Sequence, residues 1–190
     1  MRTFTQFRAP TTEDEIWLLT HPSVYSLGLN ADRNHVLETP SAPLVQTDRG
    51  GQVTWHGPGQ LVVYTLIDLQ RRHIGIRAFV SLIENAIIQF LSQYGLRAIA
   101  RPDAPGVYVA DEKIASIGLK VSRGRCYHGF SLNVNPELSV FDTINPCGYS
   151  DLRVTSLESL GILTSTEEVM SGLISSFLAQ PPFLNDAPHE

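Results

Sequence analysis

The chain has 190 residues, 43% of them apolar and 17% charged, which fits one globular domain spanning 1–190 and excludes a disordered polymer. Lys and Arg number 14 against 19 Asp and Glu, a net charge of −5 that argues against nucleic acid as the main partner. No apolar run approaches the ~20 residues needed to cross a bilayer, and the opening MRTFTQFRAP lacks the apolar segment of a secretory signal.

In chain order, residues 16–30 read as a strand, a break at His21-Pro22 and a second short strand. A loop holding Pro40 and Pro43 leads to a strand over 44–47. Residues 49–60, with four glycines and a proline, read as one long shaped loop. The run 61–67 is nearly all apolar and β-branched, a strand buried on both faces. Phe79, Leu82, Ile83, Ala86, Ile87, Phe90 and Leu91 recur at helical spacing, and Gly95 marks the end of that helix. Residues 106–110, 113–121 and 126–134 form an antiparallel meander, with turns at Asp111-Glu112 and Ser122-Arg123-Gly124. A last helix covers 166–179. Ser165 and Glu168 make its capping box, and Met170, Leu173, Ile174 and Phe177 its apolar stripe. Strands and helices do not alternate regularly, so the expected class is α+β, a mixed and largely antiparallel sheet flanked by helices.

Two cysteines occur, with no zinc or CxxC spacing, and both thiols are expected reduced in the cytoplasm. Cys147 lies between Pro146 and Gly148, a turn context that suits either a reactive thiol or a small hydrophobe filling a gap. Cys126 heads an apolar strand and reads as structural. His56 and His128, each followed by glycine, are candidate bases for a thiol, or histidines where backbone presses on a ligand. Arg49-Gly50-Gly51 and Gly57-Pro58-Gly59 match neither a dinucleotide fingerprint nor a P-loop. Lys113 shares strand parity with Ala115, Ile117, Leu119 and Val121, which turns its stem inward; the competing reading is a solvated turn lysine.

Taken together, ordered segments carry a specific resemblance. They are RGGQVTWHGPGQ from Arg49, PGVYV from Pro105, KIASIGL from Lys113, HGFSLNVN from His128 and INPCGY from Ile144. The chain resembles the lipoyl(octanoyl) transferase family, over about Ile16 to Leu157. The resemblance implies the fold of biotin and lipoate protein ligases. It implies transfer of an octanoyl group from octanoyl-acyl carrier protein to a lysine of a lipoyl domain, the first step of endogenous lipoate synthesis. The acceptors would be lipoyl domains of 2-oxoacid dehydrogenase E2 subunits and the glycine cleavage H protein. By the same resemblance Cys147 is the acyl-thioester nucleophile and Lys113 its catalytic partner. Substrate contacts fall to Arg49, Gly50, Gly51, Gln52, Val53, Thr54, Trp55 and His56, to Ser116, Ile117 and Gly118, and to Gly129, Phe130 and Ser131. No cofactor or metal is implied. Family members begin with a further strand and helix, and Met1 falls inside that helix, so the usual N-terminal strand is expected to be missing.

Thioester exchange is nearly balanced and thioester-to-amide transfer runs downhill, so no ATP is needed. Three other readings remain open: an ATP-dependent ligase on the same fold, a non-catalytic binding module, and a cysteine hydrolase. Arg71, Arg72, Arg123 and Arg125 are candidates for a basic rim that docks an acidic carrier protein.

Overall fold

The computed structural model describes residues 1–146 and 152–184. Six strands form the main sheet: β1 (Glu15–Leu19), β5 (Gln60–Leu66), β9 (Arg125–Asn133), β8 (Glu112–Ser122), β7 (Gly106–Val109) and β6 (Ala98–Ala100), in that spatial order. Every neighbouring pair in it is antiparallel. A smaller sheet has β2 (Val24–Leu27) at its centre, parallel to β3 (Leu44–Gln46) and antiparallel to β4 (Thr54–His56). The expected α+β class is therefore met, and among the described residues the one parallel strand pair, β2 with β3, lies in the small sheet.

The inner strand β5 is buried along its length except at Tyr64, which is partly exposed. Its odd residues Leu61 and Val63 join Phe130, Leu132 and Ala115 in the main core, beneath α2 (Ile76–Ser92) and α3 (Thr166–Leu178). Helix α2 begins one turn before its apolar stripe, capped by Gly75 without a side-chain bond. The expected capping box of α3 is formed, with Glu168 N–H donating to Ser165 Oγ and Ser165 N–H to Glu168 Oε2. The buried stripe of α3 is Val169, Leu173 and Phe177, while Met170 and Ile174 sit at its margin. A second core of Tyr25, Leu27, Val53, Trp55, Phe141 and Ile144 underlies the small sheet.

Several elements depart from the sequence reading. The loop 49–60 contains β4, because Trp55 has a second apolar cluster to enter and Phe141 to meet at 5.8 Å. The strand β6 was not read from the sequence and has little apolar pattern of its own, whereas the short helix α1 (Arg2–Phe7) lies where the resemblance implies a helix. The β7–β8 turn falls on Ala110 and Asp111, both at positive φ (47° and 66°), one residue earlier than expected. The next turn, Arg123-Gly124, lies where it was expected, again with both residues at positive φ.

Lys113 is buried, but not for the reason its parity suggests. In the β7–β8 ladder Val107 faces Ala115 and Tyr108 faces Lys113, so Ile114 is an extra residue, a β-bulge. Across the bulge the alternation reverses. Ile114 and Ala115 enter the main core, while Lys113 stays with Tyr108 on the opposite face.

The arginines read as a docking rim are also placed differently. Asp14 accepts from Arg8, Arg71 and Arg72, at 2.8, 2.7 and 2.6 Å, and Arg125 pairs with Asp68 at 3.4 Å. Arg71, Arg72 and Arg125 thus tie the 68–72 segment to residues 8–14 and to the start of β9, while Arg71 and Arg123 stand exposed at turns. Burial would raise the Asp14 carboxyl, but the Asp68 N–H, Arg72 and Arg8 that it accepts from hold it below the usual range.

Candidate functional site

A cavity of about 260 Å³ lies between the face of the main sheet turned away from α2 and α3 and the small sheet. Its lining includes Val62 and Tyr64 of β5, Gly129 and Ser131 of β9, Ser116 and Gly118 of β8, and Val24 and Ser26 of β2. On the main sheet those positions follow from strand alternation: they pair with one another across the ladders and alternate along each strand with the residues that face α2 and α3. Of the residues expected to contact substrate, Arg49, Gly51, Gln52, Val53, Thr54, His56, Ser116, Ile117, Gly118, Gly129, Phe130 and Ser131 line this one cavity. Gly50 and Trp55 do not. The Gly50 N–H donates to Leu119 O at 3.0 Å, and Trp55 belongs to the second core.

Arg49 is buried and fastens its own loop. Its guanidinium donates to Ser26 O at 2.6 Å, to Ser26 Oγ at 3.0 Å and to Gln52 O at 2.7 Å. The loop fits only because the neighbours are small. A Cβ on Gly28 would strike Gly51 O, and one on Gly118 would sit 3.1 Å from Gly50 O.

Histidines and a tyrosine gather at the cavity. His56 at the end of β4 contacts Gln60 Oε1 through Nδ1 at 2.7 Å. Burial pushes His56 down to about 4, so the imidazole is neutral at ordinary pH. His21 Nε2 meets Tyr64 Oη at 2.7 Å, and burial lowers His21 and raises Tyr64. His128 should face the helices with Cys126 and Phe130. Its φ of 60° turns the ring instead toward the cavity, where it stacks on Tyr127 and meets Asp48 Oδ1 at 2.7 Å. Burial depresses His128 more than Asp48 raises it. Asp48 in turn accepts from Arg2 and Tyr127, which hold its carboxyl well below the usual range.

Lys113 lies near the end of this face where β5 starts and β9 ends. It is only 1% exposed. Its Nζ donates to Pro105 O at 3.1 Å and sits 5.3 Å from the centre of the Tyr108 ring. Gly106, at φ 143°, leaves room for the stem, since a Cβ there would lie 2.7 Å from Lys113 Cε. The Lys113 main chain is held on its other side by the segment after residue 151: Lys113 N–H donates to Arg153 O at 2.8 Å, and Thr155 N–H to Lys113 O at 3.0 Å. Cys147 lies outside the described residues. Cys126 is buried near Thr65 Oγ1, and burial pushes its thiol up to about 12, as suits a structural cysteine.

Gln60, Asn133, Tyr64, His21 and Asp48 were not singled out by sequence reasoning. Gln60 and Asn133 carried a signal, each a polar residue at one end of an apolar strand and each buried. His21 was read only as a turn residue before proline. Among the described residues, no group of three or more His, Cys, Asp or Glu could hold a metal, and no helix is long and apolar enough to cross a membrane.

Comparison with known proteins gives concordant matches. The family model "Lipoyl protein ligase A/B catalytic domain" matches residues 2–178. An octanoyltransferase of Methylococcus capsulatus is 56% identical over 95% of this chain and 87% of its own length. One from Nitrosomonas eutropha is 47% identical over 100% of this chain and 84% of its own. Among solved structures, a bi-partite lipoate protein ligase from Thermoplasma acidophilum superposes with TM-score 0.75 at 15% identity, over 93% of this chain and 74% of that one. A biotin protein ligase from Aquifex aeolicus gives 0.55 at 16%, over 81% and 68%. At such identities the solved structures speak to the fold alone.

Proposed function

The chain belongs to the lipoyl protein ligase A/B catalytic domain family and groups there with the octanoyltransferases, and we propose that it moves an octanoyl group from octanoyl-acyl carrier protein to a lipoyl-domain lysine through a thioester on Cys147. The observation that carries this reading is a largely apolar cavity on the same sheet face as a buried lysine. Val24, Val45, Val53, Val62, Ile117 and Phe130 supply an apolar wall suited to a short aliphatic chain.

In the first half-reaction the Cys147 thiolate attacks the donor carbonyl. A C–S bond forms to the enzyme, the C–S bond to the carrier breaks, and the carrier thiolate takes up a proton. In the second, the acceptor amine attacks the acyl-enzyme carbonyl, a C–N bond forms, the C–S bond to Cys147 breaks, and the proton lost by the amine passes to the released Cys147 thiolate. An ammonium near a thiol favours the thiolate, and the neutral amine can accept a proton. Lys113 is the residue to which we assign both tasks. Its support is the 153–155 segment, which follows the stretch bearing Cys147 and bonds both main-chain groups of Lys113. The acceptors on this reading are lipoyl domains of 2-oxoacid dehydrogenases and the glycine cleavage H protein, and the enzyme works in the cytoplasm without a cofactor.

The test is transfer between purified proteins. Octanoyl-carrier protein and an apo lipoyl domain should yield octanoyl-lysine without nucleotide, with parallel double-reciprocal lines. A product formed only from free octanoate with ATP would overturn the reading in favour of a ligase. Release of free octanoate with no acceptor product would overturn it in favour of a hydrolase.

A further inference from the structure

Four groups run in a hydrogen-bonded line from the cavity to the strand that carries Lys113. His56 Nδ1 is 2.7 Å from Gln60 Oε1. Gln60 Nε2 donates to Asn133 Oδ1 at 2.9 Å, and Asn133 Nδ2 donates to Thr155 O at 2.9 Å. The line ends where Thr155 N–H donates to Lys113 O. Its direction is settled by the Thr155 carbonyl, which can only accept. Asn133 must therefore present its amide nitrogen to Thr155 and its oxygen to Gln60. Gln60 must then present oxygen to His56, and that oxygen can only accept from an Nδ1–H. The ring is thereby fixed as the tautomer with its proton on Nδ1 and a lone pair on Nε2.

Among the described residues no hydrogen bond reaches Nε2, and the ring lines the cavity. Gln60 pairs with Asn133 across β5 and β9, next to the register that leads into Lys113, so His56 sits at the end of the cavity nearer that lysine. We propose that His56 is a hydrogen-bond acceptor for the incoming amine, and that Gln60 and Asn133 are positioning residues that hold it in that role. An Nε2–H would instead donate, as to a developing oxyanion. The titratable groups facing His56 reinforce a neutral ring: His21, 6.0 Å away, and the Arg49 and His128 charges all oppose its protonation. A neutral imidazole so hard to protonate is a weak base, so it orients the amine N–H while another group removes the proton.

This inference rests on the transfer reading for the identity of the amine, and its first test does not. Long-range ¹H–¹⁵N spectra of the full wild-type chain, with His56 assigned through His56→Gln, should show Nδ1 protonated and Nε2 bare from about pH 5 to 8. A proton on Nε2 in that range overturns the proposal. Gln60→Met removes the acceptor and should mix the two tautomers. It should slow transfer from acyl-enzyme to lipoyl domain about tenfold, the worth of one hydrogen bond, and leave acylation by the carrier within about twofold. Equal slowing of both half-reactions overturns it, because a merely structural loss would act on both. Wild-type protein that takes no octanoyl from the carrier overturns the transfer reading alone, and the spectrum still decides whether His56 accepts or donates.

Discussion

The two faces of the six-stranded sheet are built from the same strands and share almost no chemistry. Facing α2 and α3, β5, β9 and β8 present Leu61, Val63, Cys126, Phe130, Leu132 and Ala115. Facing the small sheet, the intervening residues are Val62, Tyr64, Gly129, Ser131, Ser116 and Gly118, and they line a cavity. Alternation alone explains most of that division. The two exceptions add titratable groups to the cavity face: a bulge at Ile114 keeps Lys113 there, and a positive φ at His128 turns its ring there. Local backbone irregularity thus enriches one face in chemistry while the other remains a regular packed core.

The sharpest way to break this division is at Gly129. A Cβ there would collide with the carbonyl oxygen of Val63 on β5, where neither strand can yield. Gly129→Ala should cost about 4 kcal/mol or more, and a thermal melt would show it as loss of most of the cooperative transition. At Lys113 the irregularity itself is tested. Lys113→Met should keep the fold and slow acyl transfer by about 10²- to 10⁴-fold in single-turnover assays. Lys113→Arg should recover part of the acylation step but not transfer to the amine, because guanidinium stays protonated. Neighbouring residues on β9 then compare the faces directly. Phe130→Ala should destabilise by about 3–5 kcal/mol, through the cavity left in the core. Ser131→Ala should cost about 1 kcal/mol or less in denaturant unfolding, since no packed core is lost.

The smallest expected effect is on pH dependence. His21, His56 and His128 all have folded-state values below that of a free imidazole. The unfolded chain therefore binds more protons as pH falls, and stability present above about 6.5 is lost progressively toward the folded value, near 4 for His56. The melting temperature should fall over that window, and His56→Gln should flatten part of the decline. Asp14 and Asp48 add little there, since they are held below their ordinary range and lose their contribution only at still lower pH, while Glu84, raised by burial, works against the decline.

Much of the fold was readable in the sequence because it is carried by periodic apolar residues. The β5 run, the α2 stripe, the α3 capping box and the β7–β8–β9 meander all follow from local pattern. What pattern could not supply depends on tertiary partners. β4 exists because Trp55 packs on Phe141, β6 because it pairs with β7, and the arginines 71, 72 and 125 are engaged by Asp14 and Asp68. At the site, residues with glycine neighbours or a distinctive segment stood out. Gln60 and Asn133 did not, because a single amide inside an apolar strand shows its purpose only when its partner across the ladder is known. Lys113 was read as inward from a parity that the bulge reverses, so its burial agreed with the expectation while its face did not.

The measurement that bears most directly on the account is the intact mass of the protein after brief incubation with octanoyl-carrier protein. Wild-type chain should gain the mass of one octanoyl group, labile to hydroxylamine and discharged by an apo lipoyl domain, while Cys147→Ala should gain none. A Cys147→Ala protein that still acquires the label, or a wild-type chain that transfers octanoyl without ever carrying it, would contradict the account.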